Sequence, residues 1–424
     1  MFGTLRNAWK IPELRKKLLF TLMILLIFRV GNAVPVPYVN VDLLSAYFNA
    51  NLANTVLGMY NMMSGSAFSQ ATLFALGIQP YINASIIIEL LSIAIPALER
   101  MKREEGEEGK RKLTRITRYT TVGLGLVMGY AYYVMLNNYG LLATSGFLPA
   151  IVVVLSFTAG ASLVMWLGEQ ISEFGVGNGI SIILFAGIVS RLPNTLINMV
   201  TGAINGTSAW WVSLLVIVGM LLLVIFVVFI TNSERRIPIQ YAKRVVGRKV
   251  YGGQNTHLPI KVNMSGVLPV IFAQSIASLP ATIAAFAGST DGWWYRNVFG
   301  TNTVIYAVCY FALIIMFSYF YASVQYNPVE IANNLKKNGG FIPGFRPGRP
   351  TSDFIARTIH KIVLFGALFL SVVALCPIII GNVVSDPSLA IGGTSVIIVV
   401  SVAIETVNQI EAQMLMRHYK GFLE

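Results

Sequence analysis

WWVSLLVIVGMLLLVIFVVFI, residues 210–230, runs directly into TNSERRIPIQYAKRVVGRKVYGGQNTHLPIKVNMSG, residues 231–266, and the contrast between the two decides the fold. The first stretch carries no charge, and an α-helix needs about 20 such residues to cross a hydrocarbon core of roughly 30 Å. The second sets seven cations, Arg235, Arg236, Lys243, Arg244, Arg248, Lys249 and Lys261, against one acid, Glu234. Another apolar run, Val267 to Phe286, follows it. A connection this long and basic, punctuated by Pro238, Gly247, Gly252, Gly253 and Pro259, exceeds what two neighbouring spans require. It is either a loop whose charge only sets topology or a docking surface.

The same alternation governs the whole chain. Of its 424 residues 55% are hydrophobic and only 12% charged, with a mean hydropathy of +0.68. That is too little charge to clothe a soluble globule, so the chain reads as a polytopic membrane protein. Apolar runs of spanning length fall at 18–36, 73–95, 118–138, 148–167, 178–199, 210–231, 265–287, 303–324, 359–381 and 391–413. Helices are expected in all ten, because a spanning segment must satisfy its own backbone and the alternation of a barrel strand is absent.

Charge sets the orientation. Placing the N-terminus inside puts 28 of the 31 Lys and Arg on the inner side and leaves Arg29, Arg191 and Arg296 outside. Both termini are therefore expected in the cytoplasm by the positive-inside bias. The net charge of +13 needs no nucleic-acid partner. Met1 to Lys17 pairs Phe2, Leu5, Ala8 and Trp9 with five cations and suits an amphipathic helix at the inner interface, with the run after it retained as a span.

Residues 52–70, LANTVLGMYNMMSGSAFSQ, fall outside in this topology yet hold Met59, Met62 and Met63. A short re-entrant helix filling a cavity accounts for them, an external amphipathic hairpin being the other reading. The second span is interrupted by polar Gln79, Asn83 and Ser85, and Pro80 is expected to break or kink it. Ile78 and Ile82, and beyond the glycine-rich turn Ile180 and Leu184, are i, i+4 pairs that share a helix face. Gly175, Gly177 and Gly179 follow a membrane helix and precede no Lys-Ser/Thr, so a flexible turn is expected there and not a phosphate loop. The seventh span is again polar and proline-broken, with Pro269, Ile271, Gln274, Ser275, Ser278 and Pro280. A second large inner loop, from Asn327 to Pro350, presents Arg346 and Arg349 on a stretch stiffened by Pro343, Pro347 and Pro350.

Little in the chain suggests bond chemistry. His257, His360 and His418 are scattered, Cys309 and Cys376 lie within apolar runs, and no serine-nucleophile elbow or mid-membrane carboxylate pair is present. No cofactor, metal or catalytic residue is expected. Transport remains, and its alternatives are a small-solute secondary transporter or a membrane scaffold. A coupled transporter favours charged or carbonyl-rich sites at the midplane. Here the interior candidates are isoleucines, which suit a dewetting gate that yields to a flexible chain.

Over essentially its full length the chain resembles the SecY family, the pore-forming subunit of the bacterial protein-translocation channel. The resemblance is carried by GIQPYINASIII (Gly77–Ile88), WLGEQI (Trp166–Ile171), GNGISI (Gly177–Ile182), YAKR (Tyr241–Arg244), THLPIKVNM (Thr256–Met264), NNLKK (Asn333–Lys337), FIPGFRPG (Phe341–Gly348) and GGTS (Gly392–Ser395). It implies an all-α clamshell of ten transmembrane helices in two pseudo-symmetric halves of five, 1–200 and 201–424. The implied pore ring is Ile78, Ile82, Ile180, Leu184, Ile271 and Ile398. Residues 52–70, with Met59, Met62 and Met63, match the plug. Spans two, three, seven and eight match the lateral gate, with Asn83, Ser85, Gln274 and Leu279 as members. Loops 232–264 and 325–358 match the surface that meets the ribosome or the SecA motor ATPase, through Lys243, Arg244, Arg248, Lys249 and Arg346. The small subunits SecE and SecG, a translocating polypeptide with its signal peptide, and lipid complete the implied partners, in the bacterial inner membrane. Three positions depart from the family pattern: Leu184 for a usual Ile, Phe174 for a usual basic residue, and Glu89 for a usual Gln.

Overall fold

Each of the ten apolar runs meets a helix, but several helices begin and end where local chemistry, not hydropathy, dictates. The computed structural model describes residues 2–420 except 53–55, 104, 195–196, 198–200, 202–203, 205–209, 242–243, 247–248, 252–254, 265, 287–299, 301–302 and 385–391. Its first half holds α1 (Phe2–Lys10), α2 (Pro12–Gly31), α3 (Val41–Tyr47), a π-turn (Phe48–Leu52), α4 (Val56–Met63), α5 (Gln79–Ala94), α6 (Pro96–Arg103), α7 (Gly106–Asn138), α8 (Phe147–Phe174) and α9 (Gly179–Val189). Its second half holds α10 (Trp210–Thr231), α11 (Leu268–Phe286), α12 (Val304–Gln325), α13 (Pro328–Lys337), α14 (Arg349–Val384) and α15 (Gly392–Lys420). The runs expected to span correspond to α2, α5, α7, α8, α9, α10, α11, α12, α14 and α15. Among the described residues six helical segments are long and apolar enough to cross a membrane, or seven if α5 and the start of α6 are one span bent by 105°.

The break expected at Pro80 is absent. Residues 64–78 are turns apart from Thr72, which bridges to Pro35, and α5 starts only at Gln79 with Pro80 in its first turn. A proline there gives up an N–H that has no intrahelical partner and brings a φ already suited to the helix. The true bend in this part of the chain lies at the other end of α5, before Pro96. α9 is started by Asn178, whose side chain accepts from the N–H groups of Ile180 and Ser181, a standard N-cap. The neighbouring glycine serves close packing: a Cβ on Gly179 would lie 1.9 Å from the carbonyl oxygen of Gly168. α8 and α9 therefore touch backbone to backbone, which accounts for the glycine without any phosphate.

The basic segment after α10 is an antiparallel sheet. β1 (Glu234–Tyr241) pairs with β4 (Asn255–Lys261) in register Ile237↔Leu258, and between them β2 (Arg244–Val246) pairs with β3 (Lys249–Tyr251). β5 (Gly340–Phe341), from the second large loop, adds to the other edge of β1 through Gln240↔Phe341 and Tyr241↔Gly340. The alternation of β1 is the reason it is a strand: Ile237 and Ile239 are buried while Arg236, Pro238 and Gln240 are exposed, the period-2 pattern of a one-sided sheet. Those isoleucines join Ile260, Leu335, Ile342, Ile355 and Ile359 in a core of their own. The two loops are thus one body, built on α13 and the first turns of α14.

Candidate functional site

The largest apolar core draws on α2, α5, α8 to α12, α14 and α15, so it runs through both halves of the chain. Five of the six isoleucine or leucine positions singled out above lie in it as buried residues: Ile78, Ile82, Leu184, Ile271 and Ile398. Ile180 is half-buried and packs against them. Ile78 sits just before α5, yet its carbonyl accepts the N–H of Ile82 at 3.0 Å, so the pair keeps its common face. Met63, the last residue of α4, belongs to the same cluster. An apolar cluster of this kind offers water no hydrogen-bond partner.

α4 is wedged between α9 and α11, one from each half. Two thioethers fasten its end: Gln79 Nε2 donates to Met63 Sδ at 3.1 Å, and Ser395 Oγ lies 2.9 Å from Met62 Sδ. Asn32 Nδ2 donates to the carbonyl of Ser64 at 3.1 Å, and Arg29 Nη1 to that of Gly65 at 3.4 Å. A Cβ on Gly187 would lie 2.3 Å from the carbonyl oxygen of Met63, so α9 admits the end of α4 only because position 187 has no side chain.

The return segment is anchored differently. Phe68 stacks on Tyr132 of α7 with centroids 4.4 Å apart, and the Tyr132 hydroxyl donates to the Phe68 carbonyl at 2.5 Å. Tyr132 in turn meets Phe157 of α8 at 4.9 Å, while Phe48 meets Phe68 at 6.0 Å. Backbone bonds from Val36 to Ala71 and from Leu73 to Val34 tie the same segment to the chain after α2. Residues 66–73 are therefore tied to the first half by aromatic stacking and backbone pairing. The end of α4, by contrast, is held to both halves by side-chain contacts to sulfur.

Helices α5, α7, α11 and α12 form one packed group, with α5 and α7 both against α11 and α12 behind it. On them Asn83 and Ser85 are half-buried, Gln274 is buried with its Oε1 unpartnered inside the protein, and Leu279 is 40% exposed. Met63, Gln79, Ile271, Gln274, Ser275 and Ser278, with Tyr60, surround a small cleft between α4 and α11. Of the expected docking cations, Arg346 is exposed on the turn before α14. Arg244 and Lys249 lie on β2 and β3, while Lys243 and Arg248 fall outside the described residues. Met59 lies on α4.

Sequence reasoning passed over four contributors. Gln79 was visible as a polar residue at membrane depth, but its partner was not. Ser395 sits in a quoted motif with no role attached, and Tyr132 and Gly187 give no local signal because their partners are about 64 and 124 residues away along the chain. The departures also find places. Glu89 pairs with Lys102 of α6 at 2.6 Å, both side chains about a third exposed, so the pair closes the bend after α5 while adding little stability. Phe174 is exposed and meets the edge of Phe20 at 6.1 Å. Leu184 is buried and keeps the cluster apolar.

A helical bundle with an apolar cluster drawn from both halves, a short helix folded in between them and a basic sheet at one end has the fold of the protein-conducting channels. Over 94% of this chain and 92% of the other, it superposes with a TM-score of 0.69 and 19% identity on a structure described as a protein conducting channel. It matches Sec61 in the canine ribosome-channel complex from the endoplasmic reticulum with a TM-score of 0.63, 18% identity and the same coverage.

The sequence profile of the SecY family matches residues 72–407, and this chain belongs to that family. It is 43% identical to the protein translocase subunit SecY of Corynebacterium glutamicum over 441 residues, covering 99% of both chains. It is 42% identical to that of Bacillus subtilis over 434 residues, covering 100% of both.

Proposed function

We propose that this chain is the pore-forming subunit of a protein translocase, a channel that passes unfolded secretory polypeptides across the membrane and releases hydrophobic segments sideways into lipid. The observation that carries the reading is the common apolar cluster of Ile78, Ile82, Leu184, Ile271, Ile398 and Met63, contributed by both halves of the chain. An isoleucine seal can close around an extended polypeptide of any sequence, because it makes contact without demanding polar partners. The end of α4 acts as the plug, and its weak sulfur contacts suit a part that must leave. α5, α7, α11 and α12 act as the lateral gate between halves 1–200 and 201–424, the first carrying the plug.

The channel itself supplies no work, so a cytoplasmic ATPase of the SecA kind or a ribosome drives the chain forward. The sheet that joins the two basic loops, with Arg346 beside it, is the surface such a partner holds. SecE and SecG are the small membrane subunits in this reading, and the bacterial inner membrane, with both termini cytoplasmic, is the setting. The excess of Lys and Arg on the side of the sheet supports that orientation.

A photo-crosslinking residue placed at Ile82 or Ile271 should label a secretory chain stalled in transit. If neither position ever labelled it under translocating conditions, the channel reading would fall. Saturable, gradient-coupled uptake of a small solute by the chain alone in liposomes would also count against it.

A further inference from the structure

α4 ends in a closed loop of backbone bonds. The N–H of Ser66 donates to the carbonyl of Asn61 at 2.9 Å and that of Gly65 to the carbonyl of Met62 at 3.2 Å, with Gly65 at a φ of 69°. This glycine-terminated ending satisfies two of the last carbonyls of the helix. The carbonyls of Ser64 and Gly65 lie beyond it and find their partners on α2. Asn32 Nδ2 donates to the first at 3.1 Å and Arg29 Nη1 to the second at 3.4 Å. Arg29 and Asn32, the C-cap of α2, stand three positions apart and share one face of that helix. Their base is well packed: Phe28 stacks on Phe74 with ring centroids 5.8 Å apart and planes 7° from parallel.

Arg29 also holds a third element. The same Nη1 donates to Ser190 Oγ at 3.2 Å, and Ser190 is the C-cap of α9. The Ser190 hydroxyl gives its own proton to the carbonyl of Gly187 at 2.7 Å, so its oxygen is left to accept from the guanidinium. The approach is close: a Cβ on Gly65 would lie 3.1 Å from Ser190 Oγ and 3.2 Å from the Gly187 carbonyl oxygen. One cation thus stands where α4 and α9 end together. The carbonyl end of a helix carries partial negative charge, so a cation there is attracted to both ends at once. Arg29 is exposed, and both of its contacts are longer than the usual 2.7–2.9 Å, roughly, of a bond between a charged donor and an oxygen. They suit a part that sets a position and can be let go.

We infer that Arg29 is a positioning residue for the plug: its guanidinium bridges the carbonyl end of α4 to that of α9 and, with Asn32, sets where α4 comes to rest. The inference rests on the reading of α4 as the plug given above. It gives a task to one of the three cations that the charge pattern leaves on the outer side. When a polypeptide displaces α4, Arg29 gives up the Gly65 carbonyl and keeps Ser190, so the donor stays in place for the return of the plug. Charge does the work here, because the carbonyl ends of two helices attract a cation, repel an anion and are indifferent to a methyl group.

The test is the single-channel open probability of the full channel complex in planar bilayers, without motor or substrate. A channel lacking residues 57–67 is measured first. If it stays as closed as the parent, the reading of α4 as the plug falls and this inference with it. With that deletion open, Arg29→Ala should raise the open probability at least about threefold, the scale of exposed charge contacts. Arg29→Lys, which keeps the charge, should return it most of the way to the parent. Arg29→Glu should exceed Arg29→Ala at roughly 0.1 M salt and fall back to it at roughly 1 M, where the screening length drops from about 10 Å to about 3 Å. Ser190→Ala should raise the open probability in the parent and add nothing to Arg29→Ala, because both remove the same bridge. An Arg29→Ala channel as closed as the parent would overturn the inference while leaving the plug reading standing. So would Lys and Glu variants indistinguishable from Arg29→Ala at both salt concentrations, since lost packing alone has no sign of charge. The Ser190→Ala comparison leaves Arg29 itself intact, and an effect that adds in full to Arg29→Ala would likewise overturn the bridge.

Discussion

Gln79 Nε2 donates to Met63 Sδ at 3.1 Å, and that one contact joins the start of α5 to the end of α4. A thioether is a weak acceptor, so the bond orients the end of α4 without locking it. The neighbouring bond from Ser395 to Met62 does the same on the side of α15. The end of α4 is seated by a sum of modest terms.

Replacing Met63 with Ala removes both the acceptor and much of a buried side chain. Large-to-small changes at buried sites cost about 2–5 kcal/mol, and here the cost falls on the seated position of α4. The resting ion leak of Met63→Ala in planar bilayers should rise at least about tenfold, which needs only roughly 1.4 kcal/mol. Met63→Leu, which conserves volume, should leak less. A Met63→Ala channel as tight as the parent would show that the contact does not seat the plug.

Gly187→Ala should unseat the end of α4 from the other side. Its Cβ would lie 2.3 Å from the Met63 carbonyl, and a backbone atom cannot swing away as a flexible side chain does. The same leak assay should rise, with Gly219→Ala as a control, since a Cβ there meets nothing within 4 Å. Equal behaviour of the two variants would contradict the close packing of α9 on α4.

Gln240 and Phe341 are directly opposed across β1 and β5. Opposed residues in an antiparallel pair have Cβ atoms about 4.5–5.5 Å apart, near enough for a disulfide after slight adjustment. With Cys309 and Cys376 changed to Ala, the double variant Gln240→Cys/Phe341→Cys should crosslink on mild oxidation, seen on a gel after cleavage at a protease site inserted between positions 242 and 339. Persistent failure to crosslink would mean that the two loops move apart in solution.

Arg346 is exposed on a turn that two glycines at positive φ, Gly344 and Gly348, hold in shape. Arg346→Glu reverses the charge without touching the core. Membrane insertion and thermal stability should stay within about 0.5 kcal/mol of the parent, while motor-driven translocation should fall several-fold. Normal secretion by this variant would argue against a docking role for the turn.

The helices were legible in the sequence wherever hydropathy alone decides, as in residues 210–230. Their ends were less so. Pro80 read as a break because a proline inside an apolar run usually is one; its place in a first turn depends on residues 64–78 folding as turns against α7 and the chain after α2. The sheet was missed because a basic stretch with prolines and glycines masks the short alternation of Ile237 and Ile239, and because β5 pairs with β1 from about 100 residues further along the chain.

The amino-acid sequence by itself determined the class of molecule, the isoleucine pairs and the family. Those rest on properties that each segment carries alone: apolar length, charge and motif. Only the tertiary structure decided what holds the end of α4, why residue 187 is glycine, and that two distant basic loops form one sheet. Each of these is a relation between segments far apart in the chain, and no local periodicity records which backbone another will touch.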